Sequence, residues 1–189
     1  MKALGDRIRR EGRDLGQGIL NVDGFLTHQL DPALLDACGR ELAVRCRPWG
    51  ATRVLTAEVS GIAPAYSAAR HLGIPMVYAR RERAVTMSDP VLRVAARSHT
   101  KRRLTELLVS SKYLRPTDRV LILDDFLATG ETARALARLA AAGGATLVGI
   151  GAVIEKSFQG GRTALAELDV PIESLAAITE MTDGRIVVA

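Results

Sequence analysis

Asp124 and Asp125 stand side by side after the apolar run Val120-Leu121-Ile122-Leu123 and before Phe126-Leu127-Ala128-Thr129-Gly130-Glu131-Thr132. Adjacent carboxylates accept hydrogen bonds from neighbouring hydroxyls, as in the diol of a ribose. The apolar run, with its β-branched residues, reads as a buried strand of a parallel sheet. An alanine-rich helix is expected from Thr132 onward, after a turn through Ala128-Thr129-Gly130. A strand, a tight turn and a helix start in that order aim free backbone N–H groups and a positive dipole end at one spot, which suits a phosphate. Gly130 lets the backbone approach closely, and Thr129 and Thr132 add hydroxyl donors. A single ligand uses both halves: a sugar that carries a phosphate.

The elements that must position these residues follow an alternating grammar. Asp31-Pro32 opens a helix as cap and first-turn proline, and Pro48-Trp49-Gly50 ends it. Strands are expected at residues 54–57, 75–80, 104–110, 145–155, 172–178 and 185–188, with helices at 64–72, 132–142 and 163–168. Residues 80–100 are polar, basic and poorly periodic, so they read as a lid or loop. The first 30 residues break the pattern and read as a small hood packed on the main sheet. Strands alternating with helices predict an α/β fold with a mostly parallel sheet covered on both faces. Ligands then lie beyond the carboxyl ends of the strands, where the loops after Ala57, Leu123 and Ile154 converge.

A chain of 189 residues fits one domain, residues 1–189, and 48% hydrophobic residues supply a core without disulfides. Apolar runs fall short of a membrane span, and residues 1–13 lack a signal-peptide core, which points to a cytoplasmic protein. Cys38 and Cys46 form no metal or redox motif, and His28, His71 and His99 show no ligand spacing. The net charge of +5 fits attraction of a polyanionic small substrate, or binding of nucleic acid. With 4% aromatics the chain offers little base-stacking surface, so nucleic acid is the weaker expectation.

The stretch Val120 to Thr132 resembles the motif of type I phosphoribosyltransferases, which bind 5-phosphoribosyl 1-pyrophosphate. Flanking segments are similar to one branch, the bacterial xanthine phosphoribosyltransferases: Val22-Asp23 with Phe25-Leu26, His28-Gln29 with Asp31-Pro32, Ser60-Gly61-Ile62-Ala63-Pro64-Ala65, and Val153 to Gln159. The resemblance implies the type I phosphoribosyltransferase fold, with an N-terminal hood that C-terminal elements complete and a flexible flap at residues 80–101. It implies that Asp124 and Asp125 hold the ribose hydroxyls, directly or through magnesium that arrives with the pyrophosphate substrate. Ala128, Thr129, Gly130, Glu131 and Thr132 would cradle the 5-phosphate. Ser60 and Gly61 would meet the pyrophosphate, with Arg80, Arg81 or Arg83 closing over it. Lys156 would donate to a purine 6-oxo oxygen, Phe158 and Leu20 would pack on the base, and Thr27 would face it. A relative in that branch carries asparagine where Thr27 stands, which bears on how 2-oxo and 2-amino purines are told apart. Other purine transferases carry an aspartate where Ala128 stands, so the base here must lose its proton by another route, which suits an acidic purine such as xanthine. A homodimer is implied as well. Three alternatives are a sensor of the sugar donor that regulates nucleotide metabolism, an RNA-binding attenuator, and a transferase that prefers guanine or hypoxanthine. The opening is too short for a winged-helix segment and the flap is retained, so an enzyme is the leading expectation.

Overall fold

The structure, a computed structural model, describes residues 1–87, 90–97 and 104–189. The elements in chain order are α1 (Lys2–Glu11), β1 (Arg13–Asp14), β2 (Leu20–Asn21), α2 (Pro32–Cys46), β3 (Arg53–Ala57), α3 (Ile62–Leu72), β4 (Met76–Ala79), β5 (Val91–Arg97), β6 (Leu104–Ser110), β7 (Arg119–Leu127), α4 (Glu131–Ala142), β8 (Thr146–Lys156), α5 (Gly161–Ala164), β9 (Ile172–Thr182) and β10 (Arg185–Val188). The central sheet has six strands in the order β10-β9-β8-β7-β3-β4. Every neighbouring pair in it is parallel except β9 with β10. This is the expected mostly parallel α/β sheet, with two apolar layers, one on each face.

Strand order reverses between β3 and β7. From β3 the chain steps outward to β4, whereas from β7 it steps the other way to β8. Neighbouring loops therefore leave the sheet in opposite directions and open a crevice at the carboxyl ends of β3 and β7. The register Val54↔Leu121 and Leu55↔Ile122 sets the end of β3 beside the acids of β7, which itself continues to Leu127.

Helix α2 starts as the sequence predicts. The Asp31 carboxylate accepts from Ala33 N and Leu34 N, each at 3.1 Å, and Pro32 fills the first turn. Helices α2 and α3 then touch backbone to backbone, because a Cβ on Gly39 would lie 2.1 Å from Ser67 Oγ. Cys38 and Cys46 on α2 are buried and free, and burial pushes both thiols up to about 12, so they serve as packing. The hood at residues 1–30 contributes Leu4, Ile8, Leu20, Val22, Phe25 and Leu26 to the same apolar layer as α2 and α3.

Three expectations change. Residues 91–97, read as irregular, form β5, which pairs antiparallel with β6 from Val91↔Ser110 to Arg97↔Leu104. The basic residues obscured the signal, but Leu92 and Val94 sit two apart and pack against the layer of α4. The ribbon is joined to the sheet through paired backbone bonds between Arg80 and Leu108. Residues 163–168, read as one helix, are the short α5 and a separate 3-10 turn at Ala166–Leu168. Strand β7 also continues through the acids to Leu127 rather than stopping at Leu123. The remaining flap positions, 88–89 and 98–103, lie outside the described residues and include His99 and the Lys101-Arg102-Arg103 cluster.

Candidate active site

Strand β7 places its two acids by a change of phase. Leu121 and Leu123 face one apolar layer and Val120 and Ile122 the other. Beyond the acids Phe126 packs with the first layer and Leu127 with the second, so alternation slips across Asp124 and Asp125. The slip keeps the carboxyls together: Asp125 N donates to Asp124 Oδ1 at 3.0 Å. Asp125 is 6% exposed. Burial, then the negative charge of Asp125 and a hydrogen bond between the carboxyls, hold the Asp124 carboxyl well above the usual carboxylate range, against the pull of the Asp125 N–H and Arg81.

A pocket of about 740 Å³, part of it open to solvent, joins these acids to Ala128, Thr129, Gly130, Glu131, Thr132, Ser60 and Arg81. Gly130 sits at φ 84°, a left-handed conformation that glycine adopts without strain. It turns the chain so that α4 begins at Glu131 with no side-chain cap, and the leading N–H groups of the helix are left to a ligand. Helix α3 begins the same way at Gly61 on the facing side of the crevice, also without a side-chain cap. The φ of Gly61, −67°, is ordinary, so the glycine is not there for a tight turn. The glycine is needed for space: a Cβ there would lie 2.4 Å from both Asp124 Oδ1 and Thr56 Oγ1. The loop that carries Ser60 contains a cis peptide between Glu58 and Val59, and Glu58 Oε1 accepts from Arg81 N at 2.7 Å.

The flap arginines separate. Arg81 lines the pocket. Arg80 lies over the Tyr78 ring and donates to its hydroxyl, and Arg83 donates to Met87 O at 2.8 Å.

The expected base-facing residues form a second group beside the acids. Lys156 ends β8, is 8% exposed and lies 5.1 Å from the centroid of Phe126. Burial pushes its ammonium down, while the charge of Asp125 pulls the other way. Lys156 Nζ donates to Gly18 O at 2.8 Å, and Gln159 Nε2 donates to the same carbonyl at 3.2 Å. The hood is thus fastened to the loop after β8 at one atom. Phe158 is 42% exposed and comes near Gly18, and Leu20 is buried in the hood layer. Thr27 Oγ1 donates to Asp23 Oδ1 at 2.7 Å, so it presents lone pairs to any other partner.

Sequence reasoning did not find Gly18, Thr56 or the ion pair of Arg162 with Glu155. Gly18 acts through its carbonyl and Thr56 through the space it leaves, and neither has a residue-type signal. Gly18 does belong to a visible cluster with Gly16, both at positive φ. Magnesium fits the acids as far as chemistry goes. They are hard oxygen donors, and the described residues contain no group of three His, Cys, Asp or Glu side chains that could hold a metal alone. An ion there would take its other oxygens from substrate and water.

A crevice at the switch point of a doubly wound sheet, with twin acids between uncapped helix starts, defines a protein that grips a phosphorylated sugar. The chain belongs to the phosphoribosyl transferase domain family, which matches residues 31–169. It is 49% identical over 184 residues to the xanthine phosphoribosyltransferase of Deinococcus deserti, covering 97% of this chain and 95% of that one. With the xanthine phosphoribosyltransferase of Stutzerimonas stutzeri it shares 45% identity over 98% of each chain. Among solved structures it is similar to an adenine phosphoribosyltransferase from Giardia lamblia in complex with 9-deazaadenine, with a TM-score of 0.77, 22% identity and coverage of 94% of this chain and 98% of that one. An adenine phosphoribosyltransferase from Rhodothermus marinus gives a TM-score of 0.75 at 25% identity, covering 94% of this chain and all of that one. The fold is that of the type I phosphoribosyltransferases.

Gly61→Ala tests the close approach of α3 to the acids. Its φ suits alanine, but the methyl presses on the buried Thr56, so stability should fall by about 1–3 kcal/mol while the protein stays folded. Transferase turnover should fall by roughly 100-fold, because displacement of Asp124 misplaces the sugar. Turnover near that of the unaltered protein would show that Asp124 has room to move.

Proposed function

We propose that this enzyme transfers the 5-phosphoribosyl group of 5-phosphoribosyl 1-pyrophosphate to N9 of xanthine, giving xanthosine 5-monophosphate and pyrophosphate in purine salvage. The observation that carries the reading is the pocket in which Asp124 and Asp125 lie between the uncapped starts of α3 and α4. The near full-length likeness to xanthine phosphoribosyltransferases supports the choice of base.

The start of α4, with Thr129 and Thr132, takes the 5-phosphate through N–H and O–H donors. Ser60, the start of α3 and Arg81 take the pyrophosphate. The carboxylates receive the 2- and 3-hydroxyls. Asp124 and Asp125 would hold, directly or through water, a magnesium ion carried in with the donor, which would supply charge neutralisation for the leaving group. As the bond from C1 to the pyrophosphate oxygen breaks, its electron pair leaves with pyrophosphate and positive charge grows on the ribose. The carboxylates stabilise that charge. The lone pair of N9 then forms the new bond to C1.

The base arrives already ionised. Ala128 offers no carboxylate to take its proton, and xanthine gives one up more readily than guanine or hypoxanthine. Lys156 uses one N–H on Gly18 O and turns the others to the 6-oxo oxygen. Adenine would set its amino donor against that ammonium. Phe158 packs beside the ring, and Leu20 supports it from the hood. A second reading, use of guanine, draws support from Thr27: its proton is committed to Asp23, so it accepts rather than donates toward the 2-position. A homodimer in the cytoplasm belongs to the main reading, and sedimentation of the purified protein tests its dimer half. No helix among the described residues is long and apolar enough to cross a membrane.

A panel of xanthine, guanine, hypoxanthine and adenine with the sugar donor and magnesium tests the assignment, and xanthine should turn over fastest. Asp125→Asn should lower turnover by roughly 100- to 1,000-fold in a folded protein, and near-normal turnover would remove the acids from the mechanism. Lys156→Ala should lower kcat/KM for 6-oxopurines by roughly 10- to 100-fold with little change in donor KM; equal loss on both substrates would contradict its role. Turnover at saturation should rise with pH through the first ionisation of xanthine, and a flat profile would place the proton acceptor in the protein.

A further inference from the structure

The 5-phosphate loop does not stand by itself. We propose that Gly161 is a positioning residue for it, and that the Glu155–Arg162 pair holds Gly161 in place; the inference rests on the reading of residues 128–132 as the phosphate cradle. A Cβ on Gly161 would lie 2.3 Å from Ala128 O and 3.0 Å from Gly130 N. A Cβ on Gly130 would in turn lie 3.1 Å from Gly161 O. The two backbones therefore press together with no room for a side chain between them. The neighbouring glycines do different work. Gly160 has φ 73° and nothing within 4 Å of its Cβ position, so it makes the turn, whereas Gly161 leaves the space.

The segment that carries Gly161 is clamped on two sides. Arg162 forks onto Glu155, with Nε on Oε1 at 3.0 Å and a terminal nitrogen on Oε2 at 2.7 Å, and its other nitrogen donates to Ile172 O at 2.8 Å. Ser174 Oγ adds a bond to Glu155 Oε2 at 2.7 Å. Glu155 is 5% exposed. Burial pushes its carboxyl up, but Arg162 and the Ser174 hydroxyl outweigh that and hold it below the usual glutamate range, so it stays ionised as a rigid anchor. From the other side Arg134 on α4 donates to Ala164 O. The phosphate loop is thereby braced from β8 and β9. Glu155 also precedes Lys156, so one strand end supports the cradle and presents the expected base contact.

The test is isothermal titration of ribose 5-phosphate and, separately, pyrophosphate into the full-length protein, in a magnesium-containing buffer free of phosphate. Gly161→Ala pushes on Ala128 O and Gly130 N, so ribose 5-phosphate affinity should fall by roughly 10- to 100-fold while pyrophosphate affinity stays within about twofold. Equal weakening of both ligands would mean a general structural role and overturn the proposal, as would unchanged affinity for ribose 5-phosphate. Arg162→Lys provides a second variant, because it keeps the charge but loses the fork. It should show the same selective loss to a smaller degree, and its absence there overturns the proposal even if Gly161→Ala does not fold. Failure of the unaltered protein to bind ribose 5-phosphate at all would instead sink the reading of the cradle itself.

Discussion

Two carboxylates, Asp125 buried and Asp124 partly so, line the pocket proposed to take a ligand with several phosphate charges, and much of the site follows from that conflict. Asp124 and Asp125 would repel the donor if the rest of the crevice were also acidic or merely apolar. Positive potential comes instead from backbone dipoles, through the uncapped starts of α3 and α4 on either side of the acids, and from Arg81. Burial, with the neighbouring charge of Asp125, holds the Asp124 carboxyl well above the usual carboxylate range.

Dipoles act only at short range, so the backbone has to come close. The glycines of the site serve that need more than flexibility. Gly61 lets the start of α3 meet Asp124 and Thr56, and Gly161 lets a loop after β8 meet the turn before α4. Only Gly130 combines a pressed backbone with a left-handed φ. The sheet makes these meetings possible because the order of strands reverses between β3 and β7, and the loops part at that point.

The hood and the loop after β8 are fastened together by Lys156 and Gln159 on one carbonyl, that of Gly18. This ties the expected base-facing group to a segment far away in the chain. The hood is no appendage, since Phe25 and Leu26 are fully buried in the layer shared with α2. The segment that touches Lys156 is thus also part of the core packing of the first 30 residues.

The sequence by itself determined the alternation of strands and helices, the cap of α2 at Asp31, the twin acids that follow the apolar run of β7 and the turn at Gly130. These are local: each depends on period, cap chemistry or backbone freedom within a few residues. It could not show β5, whose apolar residues are interleaved with arginines and find their partners only in β6 and α4. Nor could it choose Arg81 from its neighbours, tell the spatial need of Gly61 from a conformational one, or bring Glu155, Arg162 and Ser174 behind the phosphate loop. Those features depend on which backbones touch across the sheet, and that was decided only when the chain had folded.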